Sequence, residues 1–171
     1  MKEMLRTRLL NGLQADQLPD LITILAPAGY GKTTFTRQLL TWCGYPGSYI
    51  TLHPLQGDSR SLLDACIHVF AGHLSDTAVL NRNDIETARD LCRILARDLK
   101  HPHILVLDDV HLLKGSPSAE KWLAEILAYL PSQLHLVLVG REPPALPFSQ
   151  LLAEQRLLVF NREDLCVTIE E

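Results

Sequence analysis

The stretch "LAPAGYGKTTF", Leu25 to Phe35, decides how this 171-residue sequence is interpreted. It matches the phosphate-binding pattern G-x-x-x-x-G-K-[ST] except at the first glycine, where Ala26 stands. Gly29 and Gly31 give backbone freedom beside a phosphate, where a side chain would collide. Ala26 falls at the junction of strand and loop, farther from the phosphates, and a methyl group fits there if φ is negative. The stretch predicts a phosphate-binding loop, and the alternative is a glycine-rich turn that carries a surface lysine.

The predicted loop comes with assigned contacts for a nucleotide. Successive backbone N–H groups would point at the phosphates, and the following helix would add its N-terminus. Lys32 would reach the β- and γ-phosphates, and the Thr33 hydroxyl would bind Mg²⁺. The predicted nucleotide-binding residues are Ala28, Gly29, Tyr30, Gly31, Lys32, Thr33 and Thr34.

Two acids follow the apolar run "ILVL", at the position where parallel α/β sheets place ligands. Asp108 is predicted to hold Mg²⁺ through water, and Asp109 to orient or deprotonate the attacking water. The alternative is a pair of solvated acids at a strand end. Arg141 follows the run "LHLVLVG" in the same way, so it either contacts the γ-phosphate or is merely solvated. The predicted catalytic residues are thus Lys32, Asp109 and Arg141, and the predicted metal ligands are Thr33 and Asp108.

Apolar strand segments alternate with helical segments along the chain, a pattern typical of a parallel sheet covered on both faces. We therefore predict an α/β fold, a three-layer α/β/α sandwich of the P-loop NTPase type with a mainly parallel five-stranded sheet. The predicted strands are "LITIL", "SYITL", "HILVLDD", "LHLVLVG" and "RLLVF". The predicted helices are a short one through Leu5, Leu9 and Leu13, then Lys32 to Trp42, Ser61 to Leu74, Asp84 to Leu99 and Ser118 to Leu130.

Composition indicates one ordinary soluble globular domain over residues 1–171, with 47% hydrophobic and 21% charged residues. The net charge of −4 and the absence of a basic cluster argue against direct nucleic-acid binding by this segment. The apolar runs are too short to span a bilayer and the N-terminus lacks a signal-peptide core, so we expect a cytoplasmic location without membrane contact. The scattered cysteines predict reduced, packed thiols. "HPH" at His101 to His103 is interpreted as a polar turn rather than a metal site.

Two short stretches bear on the choice of nucleotide and on the length of the protein. "NRND" at Asn81 and "NRED" at Asn161 resemble the guanine-reading N-K-x-D, but both carry Arg in place of Lys. His111 also stands where the GTPase motif D-x-x-G needs glycine, so both motifs argue against a GTPase. The chain ends in "TIEE", a capping-box pattern that opens a helix, which predicts that a longer multidomain protein continues beyond it.

The strings "APAGYGKTT", "LDDVHLL", "LVLVGREPPALP" and "DLCVTIEE" together resemble the nucleotide-binding domain of the MalT-like STAND ATPases, large LuxR-type bacterial transcription activators. The resemblance covers nearly the whole chain and explains Ala26, since the family commonly has a non-glycine residue there. It implies that Asp108 and Asp109 form the Mg²⁺ and water site and that Arg141 senses the γ-phosphate. It also implies binding of ATP and ADP, self-association, slow hydrolysis as an off-switch, and downstream domains of the same chain.

The sequence departs from that family at two places. The L-R-x-R-G pattern has Leu152 and Glu154 at its arginine positions and Gln155 at its glycine, and the usual Trp of the second strand is Tyr49. These departures leave two functions open, a slow regulatory ATPase and a non-hydrolysing nucleotide-binding module. A small-molecule kinase would need an acceptor pocket and an arginine-bearing lid, and no segment suggests either one.

Overall fold

Five apolar segments form one parallel sheet in the computed structural model, which describes residues 6–11, 13–54, 58–72 and 85–166. The strands are β1 Leu21–Leu25, β2 Gly47–Thr51, β3 His103–Asp108, β4 Leu134–Gly140 and β5 Leu157–Phe160. Their order across the sheet is β2-β3-β4-β1-β5, and each neighbouring pair runs parallel. All five predicted strands and their parallel arrangement are confirmed.

Helices cover both faces of the sheet, which confirms the predicted three-layer architecture. They are α1 Thr7–Leu10, α2 Lys32–Cys43, α3 Ser59–Phe70, α4 Ala88–Asp98, α5 Pro117–Ala128, α6 Phe148–Ala153 and α7 Arg162–Leu165. On one face α3, α4 and α5 contact one another and bury their apolar stripes. On the other face a second cluster joins α2 to α1 and α7 through Phe35, Leu39, Leu10 and Leu165. Because β1 lies between β4 and β5, the loop that follows it opens beside the end of β4.

Side-chain caps set the ends of two helices differently from the sequence prediction. The Asp58 carboxylate accepts the N–H groups of Arg60 and Ser61 at 2.9 Å, so α3 begins at Ser59 and ends at Phe70 rather than spanning 61–74. Thr87 and Asp90 form a reciprocal capping box, so α4 begins at Ala88 and the predicted start at residue 84 is wrong. Both helices nevertheless bury an apolar face, which includes Leu63 and Phe70 in α3 and Leu91 and Leu95 in α4.

Other local predictions also differ from the structure. The described part of the N-terminal helix spans Thr7–Leu10, and the predicted Leu5 lies outside the described residues. Helix α5 ends at Ala128, before the predicted Leu130. His103 is not part of a polar turn: it is the first residue of β3, is buried, and has its Nε2 2.9 Å from Ser48 Oγ. The short helices α6 and α7 were not predicted. "TIEE" and "NRND" lie outside the described residues.

Two broader expectations concerned packed, reduced cysteines and apolar segments too short to span a bilayer. Cys43, Cys66 and Cys92 are buried free thiols, whereas Cys166 is exposed. Burial raises the pKa of the Cys92 thiol to about 12, which makes it unreactive near neutral pH. Within the described part of the chain, each helix is too short or too polar to cross a bilayer.

The turn between α6 and β5 requires a left-handed backbone at Gln155, whose φ is 57°. Gln155 donates its N–H to Leu152 O, and the next N–H, of Arg156, bonds Leu151 O at 2.9 Å. This pattern ends a helix in the way that commonly places glycine at the left-handed position. The MalT-like pattern has glycine at this same position. The left-handed backbone explains why that pattern has glycine there.

Replacing Gln155 with glycine is expected to stabilise the domain. The left-handed conformation costs a non-glycine residue about 1–2 kcal/mol, and the greater entropy of glycine in the unfolded chain offsets roughly half of this. Denaturant unfolding should show a free energy of unfolding higher by about 0.5–1 kcal/mol. The control is Glu154→Gly, one residue earlier at φ −82°, which should destabilise the protein. Equal effects of the two substitutions would contradict the argument.

Candidate phosphate and metal site

The loop between β1 and α2 has the conformation that its two glycines predict. Gly29 has φ 86° and Gly31 φ 69°, in the left-handed region that favours glycine. Gly31 also caps α2, whose first turn closes through Phe35 N–H and Gly31 O at 2.9 Å. A Cβ built on Gly29 would meet no atom within 4 Å, so the space beside it is open. The predicted residues Ala28 to Thr34 form this turn and the first turn of α2.

Lys32 folds back over the loop and joins its two ends. Its Nζ donates to Ala26 O at 2.8 Å and to Pro27 O at 2.9 Å. Both acceptors are backbone carbonyls, so the identity of the side chain at position 26 does not affect these bonds. Ala26 is buried, bonds Gly140 O through its N–H at 3.1 Å, and does not have a positive φ. The condition set for an alanine at this position is therefore met.

Asp108 ends β3 with a buried carboxylate that lies close to groups on β2, on α2 and in the turn that follows it. Its Oδ1 accepts the N–H of Asp109 at 2.8 Å. Its Oδ2 accepts the Tyr49 hydroxyl and lies 3.5 Å from Thr33 Oγ1. The hydroxyl and the carboxylate that the sequence assigned separately to Mg²⁺ thus come together at one point.

Asp109 differs from its neighbour in both backbone and exposure. Its φ is 62°, a left-handed conformation in which aspartate is less strained than most residues. Its side chain is 44% exposed, with Oδ1 3.7 Å from His111 Nδ1. Asp108 therefore faces inward to Thr33, whereas Asp109 presents its carboxylate to the solvent side of the same edge. Such residual backbone strain, of order 1–3 kcal/mol, is typical of functional positions.

Electrostatic effects show which charged groups surround Lys32. Partial burial lowers the pKa of Lys32, the Arg141 charge acts in the same direction, and Asp108 and Asp109 oppose it. Arg141 is exposed and follows β4 directly, next to the point where Gly140 O bonds the start of the loop. The structure thus brings the predicted residues of three separate segments to one edge of the sheet.

Arginines from both ends of the chain hold the outer side of the loop. Arg6 Nη2 donates to Tyr30 O at 2.9 Å, and the Arg6 N–H bonds Gln38 Oε1 at 3.1 Å. The Arg162 guanidinium lies over the Tyr30 ring, 5.6 Å from its centroid. Arg8 Nη2 bonds the Asp164 and Cys166 carbonyls, which fixes α7 against α1.

These contacts border an open cleft beside the loop that the sequence did not reveal. It has a volume of about 310 Å³ and is lined by Arg6, Gly29, Tyr30, Leu165 and Cys166. This volume is at the lower end of small-molecule sites, which span about 300–1,000 Å³. The cleft depends on contacts between residues more than a hundred positions apart, and no local pattern encodes those.

Tyr49 is the other contributor that motif reasoning missed. Burial raises the pKa of Tyr49 above its ordinary value, and the hydrogen bond to Asp108 adds a smaller effect in the same direction. In the register of β2 and β3, Thr51 pairs with Asp108. Alternation along a strand puts Tyr49 on the same face as Thr51, so a known register would have placed it near Asp108.

The sheet order, the lysine-closed loop after β1 and the acids at the end of β3 define a P-loop ATPase domain. Two solved structures share the fold: a Walker-type ATPase of Pyrococcus abyssi and Drosophila ORC bound to DNA. The alignment with the first covers 81% of this chain and 45% of the Pyrococcus abyssi chain, at a TM-score of 0.55 and 18% identity. The alignment with the second covers 90% of this chain and 41% of the Drosophila chain, at a TM-score of 0.60 and 16% identity.

The chain belongs to the AAA domain family, whose model matches residues 15–145. It is similar to the HTH-type transcriptional regulator MalT of Klebsiella pneumoniae and of Cronobacter sakazakii, at 28% identity over 176 aligned residues in each case. Each alignment covers 97% of this chain and 19% of the relative, so the chain spans about a fifth of the length of these regulators. The resemblance to the MalT-like ATPases is confirmed.

Proposed function

We propose that this domain binds ATP·Mg²⁺, hydrolyses it slowly, and uses the nucleotide state as a switch that controls the assembly of a transcription regulator in the cytoplasm. The observation that carries the proposal is the meeting of Lys32, Thr33, Asp108 and Asp109 at the carboxyl edge of the sheet. The backbone of residues 28–34 would bind the phosphates, and Lys32 would add its charge beside the β- and γ-phosphates.

The donor set fits a magnesium ion. Thr33 and Asp108 offer a hydroxyl and a carboxylate, the oxygen donors that hard cations take. Mg²⁺ usually keeps several waters and binds few protein groups together with substrate phosphates, so Thr33 directly and Asp108 through water would suffice. When bound, the ion would neutralise charge on the β- and γ-phosphate oxygens.

Hydrolysis would depend on Asp109 and Arg141. The Asp109 carboxylate is exposed enough to contact a water molecule, which it would orient or deprotonate. Arg141 would stabilise charge on the γ-phosphate from its place beside the loop. P-loop sites turn over at roughly 10⁻⁴ s⁻¹ with intrinsic groups alone, and a well-placed arginine adds about 10³–10⁵-fold. With an exposed arginine as the only candidate assigned in this domain, we expect the slow turnover that suits a switch.

The cleft beside Gly29 and Tyr30 would hold the base and ribose of the nucleotide. It adjoins the phosphate loop, and its lining combines the backbone of the loop with the apolar side chain of Leu165. Its walls come from the N-terminal segment and from α7. Binding of the nucleotide would therefore depend on the position of α7. Through α7 it would also depend on the position of the further domains that we propose lie after this one. Contacts with DNA would belong to those domains rather than to this segment.

Substituting Lys32 with alanine should remove the stabilisation that ATP gives. Ligand at about 100 times its Kd stabilises a native protein by about 2.7 kcal/mol, and this gain should vanish because both the cradle and its charge are lost. Thermal unfolding with and without ATP·Mg²⁺ measures the effect. Lys121→Ala, on the exposed face of α5, is the control and should keep the full shift. An unchanged shift in the Lys32 variant would refute its assigned role.

Substituting Asp109 with asparagine separates hydrolysis from binding. Asparagine keeps the shape and tolerates the left-handed backbone, but it cannot accept a proton. Phosphate release should fall by about 10²-fold or more, the usual size of a general-base contribution, whereas ATP binding is retained. If wild type and variant release phosphate equally slowly, the domain is a non-hydrolysing nucleotide-binding module.

The exposed thiol of Cys166 reports on the proposed base cleft. Because the other three cysteines are buried, alkylation by iodoacetamide should occur at this residue first. ATP should slow the reaction in proportion to site occupancy, since Cys166 lines the cleft. Inorganic triphosphate, which has no base, should bind the loop without protecting the thiol. Equal protection by both compounds, or by neither, would place the base elsewhere.

A further inference from the structure

We propose that Tyr49 is a positioning residue of the metal site: its hydroxyl holds the Asp108 carboxylate in the orientation that directs Oδ2 at Thr33 and the cation. This inference rests on the proposed binding of ATP·Mg²⁺ and deepens it. It concerns a side chain that none of the phosphate, water and metal motifs of the sequence includes.

The sheet brings Tyr49 to Asp108 by strand register. Thr51, the last residue of β2, pairs with Asp108, the last residue of β3. Tyr49 lies two residues before Thr51 and therefore on the same face of the sheet. From there its ring packs against the apolar cluster under α2, and its hydroxyl donates to Asp108 Oδ2.

The Tyr49 hydroxyl holds Asp108 Oδ2, the carboxylate oxygen that faces Thr33 and would face the cation. The other oxygen, Oδ1, is already held by the N–H of Asp109 at 2.8 Å. Thr33 Oγ1 is 3.5 Å from Oδ2, longer than the about 2.5–3.0 Å of an ordinary hydroxyl–oxygen bond. The close contact of Oδ2 described in the structure is therefore the one from Tyr49. Rotation about the terminal torsion of aspartate is soft, so without this contact Oδ2 could turn away from Thr33.

Removing the Tyr49 hydroxyl should therefore lower the affinity of the site for the metal ion. Groups that orient a metal ligand through a hydrogen bond typically change metal affinity by about 10–100-fold when they are mutated. Tyr49→Phe deletes the hydroxyl and keeps the ring in the core. Tyr45→Phe is the matched control, because the Tyr45 hydroxyl also makes one hydrogen bond, at 2.7 Å to Ala15 O, away from Asp108.

The test measures metal affinity rather than turnover. The chain is saturated with ADP, Mn²⁺ is titrated in as a paramagnetic substitute for Mg²⁺, and free Mn²⁺ is measured by electron paramagnetic resonance. Tyr49→Phe should weaken Mn²⁺ binding by about 10-fold or more while ADP affinity in EDTA stays at the wild-type value. Tyr45→Phe should change neither quantity. In an Asp108→Asn background, Tyr49→Phe should have little further effect on Mn²⁺ affinity, because the hydroxyl acts through the carboxylate.

Each other outcome overturns the inference in a recognisable way. Unchanged or tighter Mn²⁺ binding in Tyr49→Phe would show that the hydroxyl does not orient the ligand, or that it competes with the cation. Equal losses of ADP affinity with and without metal would assign Tyr49 to the packing of the cradle. A wild-type chain that binds no ADP in EDTA or with metal would instead refute the proposed function itself, and this inference with it.

Discussion

The site depends on the two hydrogen bonds from the Lys32 ammonium to the carbonyls of Ala26 and Pro27. They close the loop over its own start and so fix its backbone beside the open space at Gly29. A charged donor bonded to carbonyls in a partly buried place is a strong contact, roughly 1.5–3 kcal/mol in general. Because both acceptors belong to the main chain, the loop tolerates alanine in place of its first glycine, and the left-handed turns at Gly29 and Gly31 remain the true sequence requirement.

The parallel sheet supplies the second constraint: it fixes the positions of the residues that follow β1, β3 and β4. Ala26 N–H bonds Gly140 O, and Asp108 pairs with Val139 of the same strand. The ends of β1, β3 and β4 therefore lie side by side, and whatever follows them must meet. This is why Asp109 and Arg141, far from Lys32 along the chain, both affect the pKa of Lys32. The site is a property of strand order and register more than of any single loop.

Local patterns were sufficient for the strands, for the loop and for the acids, because each is a short apolar run followed by a chemically distinctive residue. The start of α4 was missed although its cap, Thr87 with Asp90, is a local pattern. The other failures occur where long-range contacts decide: the buried place of His103 depends on Ser48 in the neighbouring strand. Tyr49 reaches Asp108 only once β2 and β3 are in register, and the cleft beside Tyr30 needs Arg6 to lie against the loop. Sequence alone gives neither register nor such contacts.

The departures from the MalT-like pattern at Leu152 and Glu154 lie beside the amino ends of β1 and β5, whereas the loop of Lys32 follows the carboxyl end of β1. Glu154 bonds Arg156 at 3.1 Å, and Arg156 bonds Asp20 at 2.6 Å, just before β5 and β1 begin. The loop that carries Lys32 follows the other end of β1. The absence of arginines at these positions therefore removes no group from the candidate phosphate site. Leu152 is instead 53% exposed, which places an apolar side chain where the family has a charge. Any altered coupling would thus act on contacts made outside this domain, and the chemistry of the site itself would be preserved.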